Sequence, residues 1–215
     1  MRGMGWNINF GVIFGGERSV GDEAYQSMLK NDFISAVGEF QEFLDNNPRH
    51  IKKIKAQKML EFCKKQKPYQ EFKNGVNAFN DFDLDQAARW YEAALTTSDE
   101  SLSFEIVTKQ KELAMIFLDS ALINLDNIGF SNAEKLIRKA KAVTPKIEKT
   151  ANEYLSNLYL IKGDIFNEVK NYEVALKNYK KAYAYNEDIR VLYVSKIKEV
   201  TNAILDEANS ATDKG

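Results

Sequence analysis

The chain has 215 residues, 44% of them hydrophobic and 28% charged, with 30 basic against 31 acidic side chains. This is enough apolar material for one sizeable core or an elongated stack of small units, and the near-zero net charge gives no general argument for nucleic-acid or membrane binding. A single cysteine, Cys63, excludes an internal disulfide or a cysteine-rich metal site, and a single histidine, His50, excludes a histidine-rich one. No run of about 18 apolar residues offers a membrane-spanning helix. Arg2 followed by an apolar stretch is a poor secretory signal, because Asn7 and Asn9 interrupt it.

Residues 1–21 differ from the rest. Six glycines (Gly3, Gly5, Gly11, Gly15, Gly16 and Gly21) fall here, and Trp6, Ile8, Phe10, Val12 and Phe14 alternate with their neighbours. Period-two alternation predicts a strand. From Asp22 onward the pattern is helical. Short helices are predicted over 24–30 and 33–45, the second stopped by Asn46, Asn47 and Pro48. Residues 49–67 read as a basic-faced helix, and Pro68 either opens a new helix or kinks a long one that runs to Asn80. Helices follow over 84–95, 101–125, 131–143, about 145–167 and 172–185. A last helix over about 188–208 carries Ile189, Tyr193, Ile197, Val200 and Ile204 on one stripe. The tail 210–215 reads as disordered.

Self-comparison of the helical part, 22–209, reveals one spacing four times. A small residue precedes a bulky apolar residue by nine positions, then come an alanine and two further apolar residues at steps of three, four and three. The copies are Ala24-Phe33-Ala36-Phe40-Phe43, Gly75-Leu84-Ala87-Tyr91-Ala94, Ala121-Phe130-Ala133-Ile137-Ala140 and Gly163-Tyr172-Ala175-Tyr179-Ala182. This is the spacing of a helical hairpin. The small residue and the alanine let two helices cross closely, and the large residues share one stripe of the second helix.

These residues resemble the tetratricopeptide repeat family over roughly residues 18–187. The resemblance implies an all-α, irregular right-handed solenoid of about four helix hairpins with a C-terminal capping helix. It also implies a non-enzymatic scaffold that binds a peptide or partner protein. The crossing alanines stand 51, 46 and 42 residues apart, against a usual period of about 34, so the first helices are expected to be elongated or joined by an extra helix at 49–67. The family's first helices line a concave surface. Tyr69, Phe72 and Val76 (with Phe79), and Met115, Leu118 and Leu122 (with Leu125), hold such places and are the candidate partner contacts, with packing inside the stack, which elongated helices also need, as the alternative. The family's lysine–asparagine clamp for a C-terminal carboxylate does not carry over, because Tyr25, Phe72 and Val76 stand in that region.

No catalytic, metal or cofactor site is expected. His50 reads as a surface or capping residue and Cys63 as a small apolar filler. Gly16 and Gly21 have phosphate-loop spacing, but Asp22 and Glu23 follow where lysine and Ser/Thr would be needed, and carboxylates repel phosphate. Arg49, Lys52, Lys53, Lys55, Lys58, Lys64, Lys65 and Lys67 form a basic stretch. It reads either as a solvated face backed by Ile51, Ile54, Met59, Phe62 and Cys63, or as a surface for an acidic partner, anionic lipid or nucleic acid. The first of these is preferred, and nucleic acid is disfavoured.

The leader also resembles, more distantly, the last strand of a bacterial outer-membrane barrel. The rival function is accordingly a self-associating structural subunit of a bacterial envelope complex, with homo-oligomer contacts. Membrane association would then come through a partner or an upstream region. The compartment stays open between cytoplasm and bacterial periplasm.

Overall fold

The computed structural model describes residues 22–212 apart from 124. The strand read over the leader and the glycine spacing at Gly16 and Gly21 lie outside the described residues. Among the described residues the protein is all-helical, without strands. The helices are α1 (Asp22–Leu29), α2 (Phe33–Asn46), α3 (Lys53–Asn80), α4 (Leu84–Thr97), α5 (Glu100–Ile123), α6 (Leu125–Val143), α7 (Glu148–Glu168), α8 (Tyr172–Tyr185) and α9 (Arg190–Thr212). Short 3-10 turns at Pro145–Ile147 and Glu187–Ile189 precede α7 and α9. Contacts divide the chain into two compact units, residues 1–106 and 107–215.

Three of the hairpin turns are built from the same backbone parts. Asn31, Phe82 and Lys170 each adopt φ near +60° at the end of a first helix. The following amide reaches back five residues to close the helix: Asp32 to the Ser27 carbonyl at 2.8 Å, Asp83 to Ala78 at 2.9 Å and Asn171 to Phe166 at 2.8 Å. That residue's side chain then caps the next helix by accepting from the amides of Ser35, Gln86 and Val174. One tight stop and one tight start, separated by a single left-handed residue, set each pair of helices side by side. The remaining hairpin puts Gly129 (φ 70°, ψ 162°) where the capping Asp or Asn stands elsewhere, and α6 is broken there.

The crossing points are tight. Ala36, Ala87, Ala133 and Ala175 are fully buried, as are Phe40, Tyr91, Ile137 and Tyr179 four positions on. A Cβ placed on Gly75 would lie 2.6 Å from the Tyr91 ring, and one on Gly163 would overlap the Tyr179 ring likewise. Alanine occupies the same place only where the facing residue is Phe40 or Ile137. Glycine is therefore required under the Tyr91 and Tyr179 rings.

In the N-terminal unit the core is Ala24, Met28, Ala36, Phe40, Ala56, Met59, Leu60 and Cys63. In the C-terminal unit it centres on Tyr159, Leu160, Ala175, Tyr179, Ala182 and Val200. Pro68 neither ends α3 nor starts a helix. It is buried inside one 28-residue helix, about 42 Å long at 1.5 Å per residue. Proline removes one intrahelical donor, a loss that packing on both halves of α3 offsets. Helix α9 continues through Thr212, past Ser210, whose hydroxyl donates to the Asp206 carbonyl at 2.8 Å. No proline or glycine follows Arg190 until Gly215, so nothing local stops it earlier.

Candidate functional site

Because α3 is unbroken, two groups that the sequence presents separately share one helix face. Ile54, Lys58, Phe62, Lys65, Tyr69, Phe72 and Val76 follow one another at steps of three or four residues, a single stripe of the helix. The stripe is basic and aliphatic in its first half and aromatic in its second. Its opposite side packs on α2 through Ala56, Met59, Leu60 and Cys63, and further along on α4 through Gly75.

Side chains in the second half are held in place. The Tyr69 hydroxyl donates to Asp99 Oδ2 at 2.7 Å, and Asp99 Oδ1 accepts from the Leu102 amide at 2.9 Å, capping α5. The Asp99 carboxylate raises the Tyr69 phenol, while the Leu102 amide, then Tyr69, lower Asp99. Tyr69 stays exposed, with its tip tied down. Phe72 is half-buried, its ring 5.9 Å from that of Tyr91. Val76 is half-buried beside it. A fixed aromatic with an exposed flank gives contact area at little entropic cost on binding.

Two neighbours on α3 do structural work that the sequence did not announce. Gln70 Oε1 accepts from the amides of Phe33 (2.6 Å) and Ile34 (3.1 Å), and its amide nitrogen donates to Asp32 Oδ1 at 3.2 Å. It closes the N-terminus of α2 from 37 residues away. Glu71 is 5% exposed. Among the described residues it pairs with Lys67 at 3.6 Å, and its Oε2 has no hydrogen-bond partner. Burial raises its carboxyl above the ordinary range, and Lys67 opposes this incompletely. The same place, four residues before the small residue, holds buried Phe117 and Tyr159 in the later copies.

In the C-terminal unit the candidates divide. Met115 is exposed and Leu122 half-buried, but Leu118 is fully buried. Leu118 is therefore a core residue and not a partner contact. The elongated first helix needs its own burial, and Leu113, Ala114, Phe117 and Leu118 supply it. A polar cluster joins α6, α7 and α8. Glu134 accepts from Arg138 (2.7 Å) and from the Tyr159 hydroxyl (2.8 Å), and Arg138 also donates to the Tyr185 hydroxyl at 2.9 Å. The Tyr159 and Tyr185 rings stack at 5.7 Å. Burial, then Glu134, push the Tyr159 phenol up to about 12. Its hydrogen-bonding groups are matched to one another, so the cluster reads as architecture.

The basic stretch is sorted by α3. Met59 and Cys63 belong to the core, whereas Ile51 and Ile54 are 91% and 69% exposed. The apolar backing expected for a simple solvated face is therefore split, with half of it in water. Lys58, Lys64 and Lys65 are exposed, Lys52, Lys53 and Lys55 partly so, and Lys64 pairs with Glu61 at 3.1 Å. His50 Nδ1 accepts from the Lys52 amide at 3.2 Å and its ring meets Phe43 edge-on at 5.2 Å, the capping role expected of it. Cys63 is fully buried, and burial raises its thiol to about 11, leaving it a packing residue.

Among the described residues no group of three or more His, Cys, Asp or Glu side chains converges on a metal position, and no helix is long and apolar enough to cross a membrane. No protein-family model matches the chain, and no curated protein matches it in sequence.

Proposed function

We propose that the chain is a non-enzymatic scaffold of tetratricopeptide type, an irregular right-handed solenoid of helix hairpins that holds a peptide or partner protein against apolar helix faces. The observation that carries this reading is the α3 stripe, where Tyr69 is fixed by Asp99 beside half-exposed Phe72 and Val76. Three hairpins with the same turn chemistry and matched crossing residues support a repeat origin for the scaffold. The titratable groups of the C-terminal unit with the largest shifts are taken up in pairs, Tyr159 with Glu134 and Tyr179 with Asp164, which fits a structural use for them.

The test is selection of binders from a displayed random-peptide library on the full chain, followed by affinity measurement on Val76→Asp and Tyr69→Ala. Selected peptides should bind the parent and lose at least about tenfold affinity on each variant, the usual effect of truncating a central contact. Peptides that bind the variants equally well would overturn the reading.

A second reading, a self-associating structural subunit, is favoured by α9. Val191, Val194 and Leu205 are exposed on the side of that helix away from Val200, which is buried against α8. Exposed apolar side chains at the outer face of a terminal helix are what a capping element normally lacks. Sedimentation velocity over a concentration series decides it. Mass that rises with concentration in the parent and not in Val194→Glu/Leu205→Glu supports self-association.

A further inference from the structure

The start of α3 is a poor helix start. The capped helices that start in the N-terminal unit begin at an aspartate, Asp32, Asp83 or Asp99. Helix α3 begins at Lys52, which makes no side-chain cap, has Lys53 and Lys55 in its first turn and has no acidic residue there. Cations at this end oppose the helix dipole, and His50 Nδ1 accepts from the Lys52 amide, ahead of the first turn. Around the same point Ile51 projects from the turn and Ile54 from the helix, both largely in water. Lys58 and Lys65 continue the face. Together with Ile54 and Phe62 they border a shallow depression, whose one carboxylate, Glu61, is paired with Lys64.

We infer that this tip, with Ile51 and Ile54 exposed along the same stretch as Arg49, Lys58 and Lys65, docks on an anionic lipid surface. The charge has the complementary sign, and the apolar groups sit where they would enter the headgroup boundary while the lysines stay at the phosphates. Shape and residue type separate a bilayer from other anionic partners. A side chain that projects 91% into solvent from a turn needs a soft surface that closes around it; an acidic peptide would need a groove there. Lysine is a hydrated point charge without a fixed donor fork, suited to a diffuse field of headgroups. Among the described residues, the aromatic that borders the patch is Phe62, which is half-buried and packed on Phe33, a poor platform for stacking bases. This surface is separate from the aromatic half of α3 that carries the proposed partner contacts.

The experiment is flotation of the full chain with phosphatidylcholine vesicles, with and without about one third phosphatidylserine. The expected result is flotation with the anionic vesicles only, lost in high salt. Lys58→Gln/Lys65→Gln should weaken it about twenty-fivefold, at about fivefold per cation. Ile51→Ser/Ile54→Ser should weaken it about tenfold. All four side chains are at the surface, so unchanged circular dichroism and melting are expected and are checked in parallel. Equal flotation with neutral vesicles, flotation insensitive to both double variants, or no flotation overturns the proposal. Salt-dependent binding to polyglutamate or to duplex DNA without flotation also overturns it, and identifies the anionic partner as protein or nucleic acid.

Discussion

The hairpins at Gly75/Tyr91 and Gly163/Tyr179 occupy the same register 88 residues apart, one in each unit. Their skeletons agree: a glycine under a buried tyrosine ring, a left-handed residue seven positions on, and an Asp or Asn cap after it. Their faces do not. Tyr69, Phe72, Val76 and Phe79 on α3 correspond to Asn157, Leu160, Asp164 and Asn167 on α7. In α7 two of these polar groups, Asp164 and Asn167, are spent on the fold. Asp164 accepts from Tyr179 at 2.7 Å and pairs with Lys196 at 2.8 Å, and Asn167 donates to Glu199 on α9 at 2.9 Å. One skeleton therefore tolerates either face. An apolar face on α3 is a choice that the hairpin itself does not require, and this is the reason to look for function there.

The largest effect should come from breaking the shared skeleton. Gly75→Ala puts a methyl into the fully buried Tyr91 ring and should destabilise by about 1–3 kcal/mol. Adding Tyr91→Ile recreates the Ala121/Ile137 pairing of the third copy and should recover part of the loss. A double-mutant cycle from denaturant titration should give a coupling of about 1 kcal/mol or more. Additive losses would mean that glycine is not matched to the ring.

Next comes a residue with no counterpart in the C-terminal unit. Gln70 corresponds to buried Leu158. Gln70→Ala orphans the first amides of α2 and should cost about 1–2 kcal/mol, read from the denaturation midpoint. Faster amide exchange at Phe33 and Ile34 should accompany it.

Glu71 sharpens the comparison in the opposite sense. Glu71→Phe, the residue type that Phe117 supplies in the third copy, should stabilise by about 1–2 kcal/mol by removing a buried and poorly paired charge. In the parent, burial raises this carboxyl, so the folded chain keeps a proton that the unfolded chain has shed. Stability should fall as pH rises from the ordinary carboxylate range through the raised value. Asp32 has the reverse sign. Its hydrogen bond from Ser35 lowers it, so its contribution is present above the ordinary value and lost as pH falls. Glu71→Gln should remove the first slope and leave the second, which a series of melting curves against pH would resolve.

The smallest effect is at Phe82, whose counterpart is Lys170. A bulky side chain in the left-handed region is strained, and Phe82 is 85% exposed, so little packing is lost with it. Phe82→Gly should raise stability by about 0.5 kcal/mol, the strain relieved less the added freedom of the unfolded chain. A loss of stability would show that the ring has a contact that matters.

Much of this skeleton was legible in the sequence because it is written in local spacing. The helix pairs and the buried residues Ala36, Ala87, Ala133 and Ala175 follow from a repeat of small and large residues, which periodicity reports directly. Pro68 left two outcomes open, since a proline inside a helix is tolerated only when packing on both sides holds it, and packing is not local. The same gap kept the basic stretch and the aromatic stripe apart, although they are one face of α3. Leu118 shows the limit from the other side. It has the spacing of a surface stripe, but on α5 it is fully buried between exposed Met115 and half-buried Leu122. Gln70 and Glu71 carried no signal in one sequence, because their roles depend on residues 37 positions away or on burial.

Hydrogen-exchange mass spectrometry of the full chain, with and without a peptide selected on it, tests the central claim that one skeleton carries a working face on α3 and a spent face on α7. The account predicts added protection over residues 65–80 and none over 153–168, with the α3 protection absent in Val76→Asp, the residue that α7 has at that place. Protection in α7, or α3 protection that survives Val76→Asp, would contradict it.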